Sequence, residues 1–132
     1  MGHNKRDTAE KAIVFYFFGR NRDVRVIRRG DRNWFVAVDV CAALGLADYP
    51  MALAGIDDSQ KSTAVLEKEP SGSTELTVVD EAGLRALIRA GRNPKAVQPF
   101  RRWVATELLP SLERMSVSPA VPGRTSEQRN TI

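Results

Sequence analysis

The sequence predicts an α+β fold in which antiparallel strands, a meander followed by a hairpin, pack with short helices and a longer C-terminal helix. Three observations predict it. Short runs of β-branched and aromatic residues fill the stretch up to residue 38 and return at 62–79. Helical periodicity and capping residues appear only after residue 38 and again after residue 80. The 132 residues, 42% of them hydrophobic, suffice for one compact core and are too few for two ordinary domains.

The meander comes first, after a polar arm over residues 1–11 that reads as flexible. Residues 13–18, 24–27 and 34–38 are the strands, separated by turns rich in Gly, Asn, Asp and Arg. Arg20 and Arg22 lie in the first turn and Arg29 and Arg32 in the second, where side chains project from a sheet toward a partner. The first strand puts aromatics on both faces and offers an edge for homodimer pairing.

Asp39 then reads as the N-cap of a two-turn helix closed by Gly45, and Asp48 as the cap of a second one containing Met51, Leu53 and Ile56. Helix, glycine turn, helix suggests a helix-turn-helix, yet residues 49–56 contain no Arg, Lys, Asn or Gln to read base edges. The second helix is therefore read as packing. Residues 62–66 and 75–79 form the hairpin, whose turn, 67–74, is acidic and rich in Ser, Pro and Gly. Lys61 and Lys68 are its only cations.

A helix starts at Asp80 or Glu81, buries Leu84, Leu87 and Ile88, presents Arg85 and Arg89 outward, and ends at Gly91. The last helix starts at Asn93-Pro94. Val97, Phe100, Val104, Leu108 and Leu112 form its apolar stripe, with Lys95, Gln98 and Arg102 opposite and Arg101 at the stripe's edge, where a carboxylate partner is expected. Pro99 predicts a kink or a restart. The domain spans 12–115, and residues 116–132 have the composition of a disordered tail.

Charge is segregated along this frame. Residues 1–35 hold nine basic and four acidic residues, 36–84 two and nine, and 85–103 six and none. The formal net charge is +4 and the pI near 9.6, a balance that suits a phosphate-bearing partner. Catalysis has no visible basis: Cys41 has no histidine to activate it, His3 is alone in the arm, and Asp57-Asp58 reads as a helix stop. The glycine turns lack nucleotide-binding spacing, so neither enzyme activity nor a cofactor or metal is expected. A single cysteine and the absence of any long apolar segment suit a protein of the reducing cytoplasm, with no membrane partner.

Four blocks carry a resemblance: VRVI (24–27), WFVAVDVCAALGL (34–46), DEAGLRALI (80–88) and FRRWVATELLPSL (100–112). In order and spacing they resemble the BRO amino-terminal (Bro-N) domain of phage antirepressors and large DNA viruses. Arg85 stands where the family usually has Tyr, Ala90 where it often has Ser, and the family's basic-x-Gly-x-Tyr ending is missing after Leu112. The resemblance implies an α+β DNA-binding domain of phage or prophage origin that regulates transcription, often joined to a C-terminal domain not expected within this chain. Most motif residues suit a core, a cap or a tight approach. Contacts to double-stranded DNA are accordingly expected from the basic positions: Arg20, Arg22, Arg29 and Arg32 in the turns, and Arg85, Arg89, Arg92, Lys95 and Arg102 on the helices. The competing reading is an antirepressor that docks on a repressor or host protein through an apolar patch and the acidic middle segment.

Overall fold

The computed structural model describes residues 10–67 and 72–116. The expected arm up to residue 9, the tip of the hairpin turn at 68–71, and the tail from 117 onward lie outside the described residues. Strands β1 (Ile13–Phe17), β2 (Arg22–Arg29) and β3 (Arg32–Val36) form the meander, and β4 (Lys61–Glu67) and β5 (Ser73–Val79) the hairpin. They join into one antiparallel sheet of order β1-β2-β3-β5-β4. The helices are α1 (Ala37–Leu44), α2 (Tyr49–Ala54), α3 (Glu81–Ala90), α4 (Pro94–Trp103) and α5 (Leu109–Ser116).

Strand alternation explains why the sheet is buried on both faces. Val24, Val26, Phe35 and Val79 point into the main core with Leu44, Leu84, Leu87, Phe100 and Leu108 from the helices. Their neighbours Ile27, Trp34, Val36 and Val78 point the other way, into a smaller core with Ala64 and Leu66. The sheet curls over that second core, because Glu10, just ahead of β1, bridges Leu66 of β4 at the opposite edge. Glu10 was expected in the flexible arm; its N–H instead donates to the Val65 carbonyl at 2.8 Å.

The β2–β3 turn is Gly30-Asp31, with Gly30 at φ 63°, a left-handed position at the first turn residue that suits a two-residue hairpin. Arg29 and Arg32 therefore belong to the strand ends, not to a loop, and Arg22, also expected in a turn, opens β2 opposite Phe17. Strand β3 stops at Val36 and runs straight into α1, so Asp39 is a first-turn residue inside the helix and no side chain caps its start. The expected Asp39 cap is replaced by a tertiary role described below. Gly45 does end α1, at φ 72°.

Helix α2 corrects another expectation: it is capped by Asp48 as predicted, but Leu53 is its one buried residue, and Tyr49 and Met51 stand in solvent. Asp80 caps α3 through the Gly83 N–H at 2.9 Å. Helix α4 continues without interruption through Pro99, so the predicted restart does not occur. Lys95, whose carbonyl Pro99 leaves without a helical donor, is exposed to water. The irregularity comes later, as a π-helical stretch Val104–Leu108 that joins α4 to α5. It ends two residues before Pro110, which has no N–H to give to Thr106, and the wider turn makes room for that ring.

Candidate nucleic-acid interface

Three aromatic rings fix the β1–β2 turn against α4. Phe17 lies 5.3 Å from Phe100 and 5.1 Å from Trp103, centroid to centroid, and Phe100 is 5.7 Å from Trp103. The turn passes tightly over the Phe17 ring, where a Cβ on Gly19 would stand 2.6 Å from a ring carbon. Arg20 thereby reaches back over α1: a Cβ at Gly45 would sit 3.8 Å from its guanidinium and 3.7 Å from the Ala96 Cβ. The first turn and the start of α4 thus meet over Gly45.

The nine basic residues singled out in the sequence divide into two groups. Arg29, Arg32 and Arg85 are engaged internally. Arg29 forms a fork with Glu10 at 2.7 and 2.8 Å and donates to Ser62 Oγ and the Thr63 carbonyl. That hydrogen bonding holds the Glu10 carboxyl below its ordinary value of 4.5. Arg32 pairs with Asp80 at 2.5 Å and lies 4.6 Å over the Trp34 ring. Arg85 pairs with Glu81 one turn earlier at 2.6 Å.

Arg20, Arg22, Arg89, Arg92, Lys95 and Arg102 are exposed and, among the described residues, make no ion pair. Arg101 joins them. The carboxylate expected beside it is not present among the described residues; instead it lines an open recess of about 210 Å³ with Arg85, Ile88 and Arg89. The stripe-edge position that suggests a carboxylate partner for Arg101 also turns it toward the neighbouring helix, and no acid lies anywhere from Arg85 to Trp103 to supply that partner nearby in sequence. Arg92 lines a second recess of about 260 Å³ with Leu46, Asp48, Met51, Ala52 and Ala90. Arg89 and Arg101 thus share one recess between α3 and α4, Arg92 and Lys95 lie exposed at the α3–α4 connection and the first turn of α4, Arg102 is exposed in the last turn of α4, and Arg20 meets the first turn of α4 over Gly45.

Two other groups are excluded from chemistry by their surroundings. Cys41 is buried in the main core, and burial pushes its thiol up to about 11, so it stays protonated at neutral pH. Asp39 accepts from the Arg25 backbone N–H at 2.9 Å and from its guanidinium at 2.9 and 3.0 Å. The β2–β3 register would place Val36 opposite Arg25, but β3 has already turned into α1, and the Asp39 carboxylate supplies the missing acceptor. Among the described residues, no helix is long and apolar enough to cross a membrane.

Residues 23–110 match the BRO family, N-terminal domain. An uncharacterized protein of Haemophilus influenzae is 33% identical over 116 residues, covering 83% of this chain and 55% of that protein. The chain thus spans about half the length of the curated relative it matches. No solved structure matches. With two thirds of its length matched by the domain's family model, the chain belongs to the BRO family and carries its N-terminal domain.

Proposed function

We propose that this chain is a DNA-binding module of a phage or prophage transcription regulator, antirepressor-like, that holds duplex DNA by its phosphates. The observation that carries the reading is the set of exposed cations on α3, α4, their connection and the β1–β2 turn that make no ion pair among the described residues, with Arg89 and Arg101 sharing one recess. Arg20, Arg22, Arg89, Arg92, Lys95, Arg101 and Arg102 are the contacts; Arg29 and Arg32 act mainly as internal fasteners, and Arg85 lends charge to the recess beside Arg89. The association of the family with antirepressor and DNA-binding proteins supports the same reading. Phosphate contacts fix register without reading sequence, so the module binds by backbone and shape rather than by base edges.

Fluorescence anisotropy of the full chain with a labelled duplex of arbitrary sequence, at two salt concentrations, tests it. Binding that weakens steeply with salt is expected. A folded sample that does not bind at low salt refutes the reading. A second reading, docking on a repressor or host protein, is favoured by exposed Met51 and Tyr49, with Met51 lining a recess together with Leu46, Ala52 and Ala90 and the charged Asp48 and Arg92. Under it, a purified repressor binds whether or not the exposed arginines are present, and Met51→Glu abolishes that binding.

A further inference from the structure

Among the described residues, the outer edge of β1 beyond Glu10 is unguarded. Edge strands are ordinarily blunted by charges, prolines, bulges or a covering element, yet residues 12–18 read Ala-Ile-Val-Phe-Tyr-Phe-Phe, with no charge, proline or glycine. Phe15 and Phe17 pack toward the helices. Val14, Tyr16 and Phe18 alternate to the other side and are 55%, 43% and 80% exposed.

The hydrogen-bond register identifies which backbone groups this edge presents. Arg25 N–H points away from β1, since it donates to Asp39 in the helix that follows β3. Arg25 faces Val14 across the β1–β2 ladder, so that pair is not hydrogen-bonded, and the N–H and C=O of Val14 point outward. Two residues on, the same holds for Tyr16. Glu10 has the same parity, and its outward N–H is already taken by the Val65 carbonyl. Strand β4 thus covers this edge at Glu10; among the described residues nothing pairs with Val14 and Tyr16 there.

We infer that two copies of this chain pair antiparallel through β1 about a two-fold axis at Phe15. In that register Val14 of one copy lies opposite Tyr16 of the other, and the two exchange both hydrogen bonds at each of two symmetry-related positions. Ile13 lies opposite Phe17, and Phe15 opposite itself. The strand is its own complement: every facing pair is apolar or aromatic, no charge meets its like, and the five residues of β1 are used in full. The outcome is a continuous ten-stranded sheet with the exposed cations of the two copies related by a two-fold, the symmetry of a palindromic duplex site. The association is measured without DNA, so its failure leaves the DNA reading untouched.

Sedimentation velocity of the full chain over a concentration series tests this, with two double variants at exposed positions and far-UV circular dichroism to verify folding. The wild type is expected to dimerise with rising concentration. Val14→Lys with Tyr16→Lys sets two cations opposite each other twice, and the dimerisation midpoint is expected to rise about tenfold or more. Val14→Glu with Tyr16→Lys sets opposite charges together in this register alone and is expected to dimerise far better than the lysine pair. Amide exchange at Val14 and Tyr16 is expected to slow with concentration, while that at Phe15, bonded to β2, does not change. A wild type that stays monomeric overturns the inference; so does a lysine pair that dimerises like wild type, or a Glu/Lys pair no better than the lysine pair.

Discussion

Replacing Asp39 by Asn separates two roles for that residue. As a helix cap, Asp and Asn are nearly equivalent, and the change would cost a few tenths of a kcal/mol at most. In the structure Asp39 instead holds Arg25 by a two-pronged, charge-assisted contact and also accepts its backbone N–H. Hydrogen bonds to charged groups contribute about 1.5 to 3 kcal/mol each when partners are buried. Here the side chains are 33% and 12% exposed, and solvent reduces the two prongs to about 2 kcal/mol together. Asp39→Asn retains an acceptor for the backbone N–H and should lose that amount; Asp39→Ala orphans the N–H as well and should lose about 3 to 4 kcal/mol. Urea denaturation at constant slope measures both, and the melting temperature of the Asn variant should fall by about 8 to 16 °C. An Asn variant within about 0.5 kcal/mol of wild type would refute the ion-pair role and restore the cap.

Glu10→Gln tests the fastening of the chain across the curled sheet. Because Arg29 lowers the folded-state pKa of Glu10, its contribution is present above the ordinary value of 4.5 and is lost as pH falls through the lower folded value. The stability advantage of wild type over Glu10→Gln should shrink as pH drops below 4.5, and a difference independent of acidity would contradict the pairing. Gly83→Ala tests the seat of α3 on the sheet. Its Cβ would stand 2.7 Å from the Val79 Cβ and 3.1 Å from the Gln60 carbonyl, an overpacking worth about 3 kcal/mol that outweighs a gain of about 1 kcal/mol in helix propensity. A denaturation midpoint at or above wild type would show that α3 does not sit so close.

The strands and helices were legible because each carries a local signal: Gly30 in a turn that needs positive φ, Asp80 three residues before the N–H it caps, and an apolar stripe from Val97 to Leu112. What stayed hidden is non-local. Asp39 looks like a cap because it precedes an Ala-rich run, and nothing nearby in sequence reports that β3 stops at Val36 and leaves Arg25 in need of an acceptor. The partners of Arg29 and Arg32 lie 19 and 48 residues away, so both arginines read as free turn cations. Arg101 was misread for the converse reason: its surroundings depend on how α4 lies against α3. Pro99 signalled a break that solvent at Lys95 makes unnecessary, while the π-helical turn ahead of Pro110 left no mark in the apolar spacing.

The DNA-binding account is tested most directly by the salt dependence of duplex affinity in two charge-removal variants. Each phosphate contact contributes about −0.9 to the slope of log affinity against log salt. Changing Arg89, Lys95, Arg101 and Arg102 to Gln together should flatten that slope by about 3 to 4, whereas changing the internally paired Arg29 to Gln in a sample shown to be folded should leave it within about 1 of wild type. Equal slopes in all three proteins would contradict the account, and so would a larger loss from Arg29 than from the four exposed cations.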